Sequence, residues 1–285
     1  MPKNTTETSI RFSPAKRRRL EGLRPALDQL YAHYNQRQFV DPDPLAPVYR
    51  YPDPRDQEIV ALITASLAFG NVKQILKSIE VVLATMPQPA DMLALSSETS
   101  LRAGLEGFRH RYVTGREMAS LLAAAAEAQR SHGSLGACFS AQVESGESTL
   151  VPALIRFAQF LRKHGSMNKN YLIPDPALGS ACKRWFMLLR WMVRSDQVDL
   201  GHWSHLDASR LIVPVDTHMH RVARGLGLTR RKAADLKTAM EITQAFKVIC
   251  PEDPVRYDFC LTRLGIRAEG DMDAFLRDAG AIPSR

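Results

Sequence analysis

The 285-residue chain carries 38 Lys/Arg against 30 Asp/Glu, a formal net charge of +8, and 45% of its residues are hydrophobic. That is enough apolar material for one large or two small buried cores, but no apolar run approaches the roughly 18 residues that a membrane helix needs. Four widely spaced cysteines without a CxxC pair, and no apolar signal core at the N-terminus, argue against a disulfide framework and for a reduced, cytoplasmic protein.

The elements read in chain order as follows. Residues 1–19 are polar, without periodicity, and end in Lys16-Arg17-Arg18-Arg19, which predicts a disordered basic tail ahead of a folded domain over 20–285. A helix is expected from Leu20 to about Tyr34. The Pro/Asp-rich stretch from Asp41 to Pro54 should be a non-helical connection. Helical spacing then predicts Gln57–Gly70, Val72–Met86, one or two short helices within 90–106, and an alanine-rich helix over Thr114–His132. Further helices are expected over Thr149–His164, Ala181–Arg194, Thr217–Leu226, Ala233–Val248 and Pro254–Leu264. Nothing alternates like a strand for long, so the fold class is all-α.

The positive charge is uneven. Residues 1–24 hold seven Lys/Arg against two acids, net +5, and residues 179–232 hold ten against four, net +6, which leaves the remainder at −3. A cationic region on a near-neutral body suggests a polyanionic partner, nucleic acid being the common one, and with it association with the nucleoid. A solvated basic surface without a partner is the plainer alternative.

Two residues stand out chemically. Asp216 ends the apolar run Ile212-Val213-Pro214-Val215, and from it Met219, Val222, Ala223 and Leu226 recur at helical spacing. An aspartate there is a favourable N-cap; in a basic cleft it could also stabilise positive charge developing on a sugar or deprotonate an attacking amine. Lys183 opens the helix Lys183-Arg184-Trp185 to Arg194, on which positions 183, 187, 190 and 194 share a face bearing three cations. It is either a surface lysine beside a core helix or an amine suited to Schiff-base chemistry. A third possibility is a metal site from Asp216, His218 and His220. An alternating strand would align those three, whereas a helix turns His218 and His220 about 200° apart.

Three stretches, in order, resemble the helix-hairpin-helix/Gly-Pro-Asp DNA glycosylases, the superfamily of endonuclease III and 8-oxoguanine DNA glycosylase. They are Ile59 to Gly70, the segment Gly107-Phe108-Arg109-His110-Arg111-Tyr112-Val113, and Pro214-Val215-Asp216-Thr217-His218-Met219-His220-Arg221-Val222. With Lys183 to Arg194, the combination is similar to a bacterial family at the edge of this superfamily. The resemblance implies two helical subdomains with a DNA cleft between them, chain termini that pack together, and a damaged base flipped from the duplex into a pocket. It implies Asp216 as catalytic carboxylate and Lys183 as Schiff-base nucleophile. The family's hairpin would fall at Gly179 and Ser180, which would bind DNA backbone; where the family reads Leu-Pro-Gly-x-Gly, Asp175 to Cys182 keeps one glycine. Arg190, Arg194, Arg221 and Arg224 are the expected phosphate contacts. The superfamily's four-cysteine iron–sulfur signature is missing, since Cys250 and Cys260 alone cannot supply it, and no metal or other cofactor is expected. The expected activity is base-excision repair of DNA, with abasic-site lyase activity through Lys183. The alternatives are a nucleic-acid-binding protein that keeps the fold without the chemistry, and a metal-dependent hydrolase.

Overall fold

The computed structural model describes residues 11–167, 169–266 and 271–279. Its architecture is all-α, and the regular strand among the described residues is one short hairpin, Arg109–His110 (β1) paired antiparallel with Val113–Thr114 (β2).

The first helix, α1 (Pro14–Glu21), corrects the expected tail over 1–19: Ser13 caps it through its hydroxyl, Pro14 occupies the first turn, and Leu20 is fully buried. Residues 1–10 lie outside the described residues. After Leu23 the chain turns into α2 (Arg24–Tyr34), which has Pro25 in its first turn, so the single helix expected from Leu20 is two. The Pro/Asp-rich connection is not wholly non-helical either. Ala46–Arg50 forms a 3-10 turn with Pro47 in its first positions, where a missing N–H leaves no bond broken.

Then follow α3 (Pro54–Leu67), α4 (Val72–Leu83), α5 (Pro89–Leu95) and α6 (Glu98–Gly104). Asp53 caps α3 by accepting the Arg55 N–H at 2.8 Å, and Asn71 caps α4 through the Lys73 N–H at 3.0 Å. Between them Gly70, at φ +102°, makes a turn that a side chain would strain. The hairpin leads into α7 (Gly115–His132), whose start is fixed by Glu117 accepting the Thr114 N–H at 2.9 Å. Ala124, Ala125, Ala126 and Ala128 are all fully buried, and these small side chains let α5, α6, α8 (Leu135–Ser140) and α9 (Val151–His164) pack around α7.

The last third contains α10 (Lys183–Val193), α11 (Thr217–Gly225), α12 (Leu236–Ile249), α13 (Asp258–Ile266) and α14 (Met272–Asp278). Helix α10 packs on α3, while α1 rests on α12, α2 on α13, and α11 on α13. The N-terminal helices are thereby fastened to the C-terminal ones. Among the described residues no helix is long and apolar enough to cross a membrane.

Candidate active site

Asp216 is held by what precedes it. The extended run Leu211-Ile212-Val213 is buried, and the Val213 N–H donates to Thr243 Oγ1 on α12 at 3.0 Å. The carboxylate that follows caps α11: the Met219 N–H donates to Asp216 Oδ1 at 2.8 Å. The other oxygen, Oδ2, lies 2.8 Å from Lys183 Nζ at the start of α10. Two residues 33 positions apart in sequence therefore meet through the first turns of two helices. Their side chains are 33% and 35% exposed, so both remain within reach of a ligand. Burial pushes the Asp216 carboxyl up, but the Lys183 ammonium and then the Met219 N–H outweigh it and hold it below its ordinary value. The resting pair is an ammonium facing a carboxylate.

Both line a cavity of about 470 Å³ between the Pro42-Asp43-Pro44 segment, the turn from α3 to α4, and helices α4, α10 and α13. Its charged lining comprises Lys183, Asp216, Asp258, Arg190, Asp43 and Arg263, and its apolar lining includes Phe69, Ile75, Met187 and Trp191. That is a volume suited to a small organic ring system with polar edges. Asp258, Asp43 and Arg263 carry no motif. Asp258 is the first residue of α13 and bonds to Arg190, while Arg263 bonds to Asp43, 220 residues away in sequence.

Arg190 and Arg194 do not serve as expected. Both are 5% exposed. Arg190 pairs with Asp199 at 3.2 Å and with Asp258, and Arg194 pairs with Asp196 and Asp253 at 2.9 Å each and with Asp199. Their charge is spent inside the molecule, where a buried cation needs a carboxylate partner, and neither can reach a phosphate on the surface. Arg221 and Arg224, by contrast, are exposed on α11.

At the hairpin position a 3-10 turn, Pro176–Leu178, ends in Gly179 at φ +80°, with open space where a Cβ would stand. The Gly179 carbonyl accepts the Leu236 N–H at 2.9 Å, and Ser180 bridges to Asp235, so α12 supports this turn from behind. Cys182, left-handed at φ +45°, then redirects the chain into α10 and delivers Lys183 to the cavity. The metal grouping does not assemble: His218 Nε2 bonds the Leu261 carbonyl at 3.2 Å and His220 Nε2 the Arg231 carbonyl at 3.0 Å, on different sides of α11. Among the described residues no three His, Cys, Asp or Glu side chains gather in a metal-binding group.

One feature beside the cavity has no signal in the sequence pattern. Phe69, on the cavity wall, stacks with Tyr112 of the β1–β2 turn at 5.6 Å and meets Tyr171 edge-on at 5.2 Å. Arg184 lies over the Tyr171 ring at 4.5 Å while donating to the carbonyls of Ser66 and Tyr171. His110 fastens the hairpin beneath: its Nε2–H donates to the Phe69 carbonyl at 3.1 Å, which leaves Nδ1 to accept from Ser78 Oγ at 2.9 Å. Burial lowers the His110 pKa, in keeping with that neutral ring.

A family model described as "Protein of unknown function (DUF2400)" matches residues 43–267, most of the chain. The chain belongs to this family. No curated protein and no solved structure matches it. The matched span begins at Asp43 of the cavity wall and includes Lys183, Asp216, Asp258 and Arg263, whereas α1 and α2 precede it.

Proposed function

We propose that the protein is a DNA base-excision glycosylase with abasic-site lyase activity, built as a helix-hairpin-helix glycosylase-like fold with its cleft at the Lys183–Asp216 cavity. The carrying observation is the 2.8 Å contact between Lys183 Nζ and Asp216 Oδ2 on the wall of a cavity sized for one base. The packing of the first helices on the last, the left-handed glycine in the turn before α10 and the capping position of Asp216 support the same reading.

The chemistry follows from the pair. A nucleoside entering the cavity expels water, and a dry site disfavours two separate charges relative to the neutral acid and amine. The proton passes from Lys183 to Asp216. The freed amine attacks C1′ of the sugar as the bond from C1′ to the base nitrogen breaks, and the base leaves with that electron pair and takes the proton held by the Asp216 carboxyl. Asp216, once ionised again, faces the developing positive charge at the sugar. Ring opening gives an imine to Lys183, the species that borohydride reduces to a stable amine.

The test is borohydride trapping on duplexes and on single strands carrying 8-oxoguanine, uracil, thymine glycol or an abasic site. A covalent adduct is expected from the wild-type protein, absent in Lys183→Ala and reduced by about 10²-fold or more in Asp216→Asn. No adduct and no base release on any lesion would overturn the assignment and leave a nucleic-acid-binding protein without the chemistry.

A further inference from the structure

We infer that the Tyr112–Tyr171 platform beside the cavity binds an unpaired base of the strand that enters it, so that the substrate is DNA with an unpaired segment rather than continuous duplex. This rests on the nucleic-acid reading above and narrows its substrate class.

The observations are independent of the lysine and the aspartate. Tyr112 is 51% exposed and Tyr171 44%, and both are prominent exposed aromatics in a protein whose other large rings are mostly buried. They stand together, ring centroids 4.5 Å apart and nearly perpendicular, one Phe69 ring away from the cavity. Leaving two apolar rings in water is unfavourable, and the surroundings hold them there rigidly. Arg184 clamps the Tyr171 backbone to α3, the Asn170 amide donates to the Glu117 carbonyl at 2.8 Å, and His110 ties the hairpin to α4. Arg111, left-handed at φ +56°, makes the tight turn that presents Tyr112.

The charge around the rings identifies the occupant. Beside them a concave surface between α4 and the hairpin is lined by Lys77, Arg109 and Arg111 with no acidic residue. Arg111 extends across Gly70, at the lip of the cavity. Flat aromatic faces flanked by cations match a nucleic-acid strand, bases on the rings and phosphates on the arginines. A duplex shows its base edges in the grooves but buries its base faces in the stack, so a stacking platform is of use only where bases are unpaired.

The experiment measures binding of the full-length protein to a strand bearing a tetrahydrofuran abasic analogue with 2-aminopurine as its neighbour. The strand is presented alone, in a bubble, and in a perfect duplex. The single strand and the bubble are expected to bind more tightly than the duplex and to show quenched 2-aminopurine emission. Tyr112→Ala and Tyr171→Ala should each weaken strand binding roughly ten-fold and relieve the quench, whereas Tyr112→Phe and Tyr171→Phe keep both. Arg109→Glu, which leaves the rings in place, should weaken binding and flatten its salt dependence. Alanine variants that bind and quench like wild type, or an undiminished preference for duplex, would overturn the platform; if Lys183 is still trapped on duplex, the glycosylase reading survives that failure. Quenching that disappears in the alanine variants, with neither base release nor an adduct at Lys183 on the lesion-bearing strands of the trapping test, would support the platform and remove the glycosylase. A wild-type protein that binds neither form of DNA would end both.

Discussion

At the scale of single residues, Asp216 shows how far a sequence pattern reaches. Its capping position is legible because the helical spacing of Met219, Val222 and Ala223 begins immediately after it, and the structure places it there. Its meeting with Lys183 is not, since nothing local says that two helix starts will converge. Arg190 and Arg194 show the opposite failure. Helical spacing puts both on the face of Lys183, but it cannot say what packs over that face, and Asp199, Asp253 and Asp258 do. A pH dependence follows for Asp216. Its folded carboxyl lies below its ordinary value, so its stabilising contribution is in place above the unfolded pKa of about 4 and disappears as pH falls through the lower folded value. Denaturation of wild type and Asp216→Asn should give a constant difference in stability at neutral and mildly acidic pH. That difference should shrink at more acidic pH; a gap that widens on acidification would contradict the ion pair.

The elements themselves are largely readable, because a helix buried on one side must repeat its apolar residues with the period of the helix. The observed boundaries of α3, α4, α7, α9, α10, α11 and α12 lie within about three residues of those expected. The departures fall where the pattern is short or the composition misleads. In α1 the run Lys16-Arg17-Arg18-Arg19 masks a helix that buries essentially one apolar residue, Leu20, against the body of the protein. The six-residue α8 is too short to display a period, and its start is set from elsewhere: Glu58, on α3, accepts the Leu135 N–H at 3.0 Å and the Trp203 indole N–H at 2.6 Å. If α1 is an integral element, Leu20→Ala should cost about 2–5 kcal/mol, the range for truncating a fully buried leucine, measured by denaturant unfolding. A change of a few tenths would mean that α1 contributes little to the fold.

For the molecule as a whole, the net charge suggests a polyanion but misplaces part of the surface that would meet it. Of the four arginines expected to meet phosphate, two are neutralised internally, while Arg221 and Arg224 stay exposed on α11. The cations lining the surface between α4 and the hairpin, Lys77, Arg109 and Arg111, lie outside both basic stretches of the sequence, because charge summed along a chain says nothing about charge gathered in space. Replacing Arg221 and Arg224 by glutamate should weaken DNA binding and lower the slope of log affinity against log salt by about one for each phosphate that is no longer neutralised. An unchanged slope would place the strand elsewhere on the surface.

The charges inside the cavity balance. Its three cationic side chains, Lys183, Arg190 and Arg263, are matched by three carboxylates, Asp43, Asp216 and Asp258, so the chamber is formally electroneutral inside a protein of net charge +8. A neutral chamber gives a phosphate no return for the water it would shed on entry, whereas an uncharged heterocycle sheds little and finds hydrogen-bonding partners of both kinds. On the proposed reading, a positive exterior and a balanced interior would sort the two halves of a nucleotide, holding the anionic backbone at the rim and admitting the base with the sugar carbon that bears it.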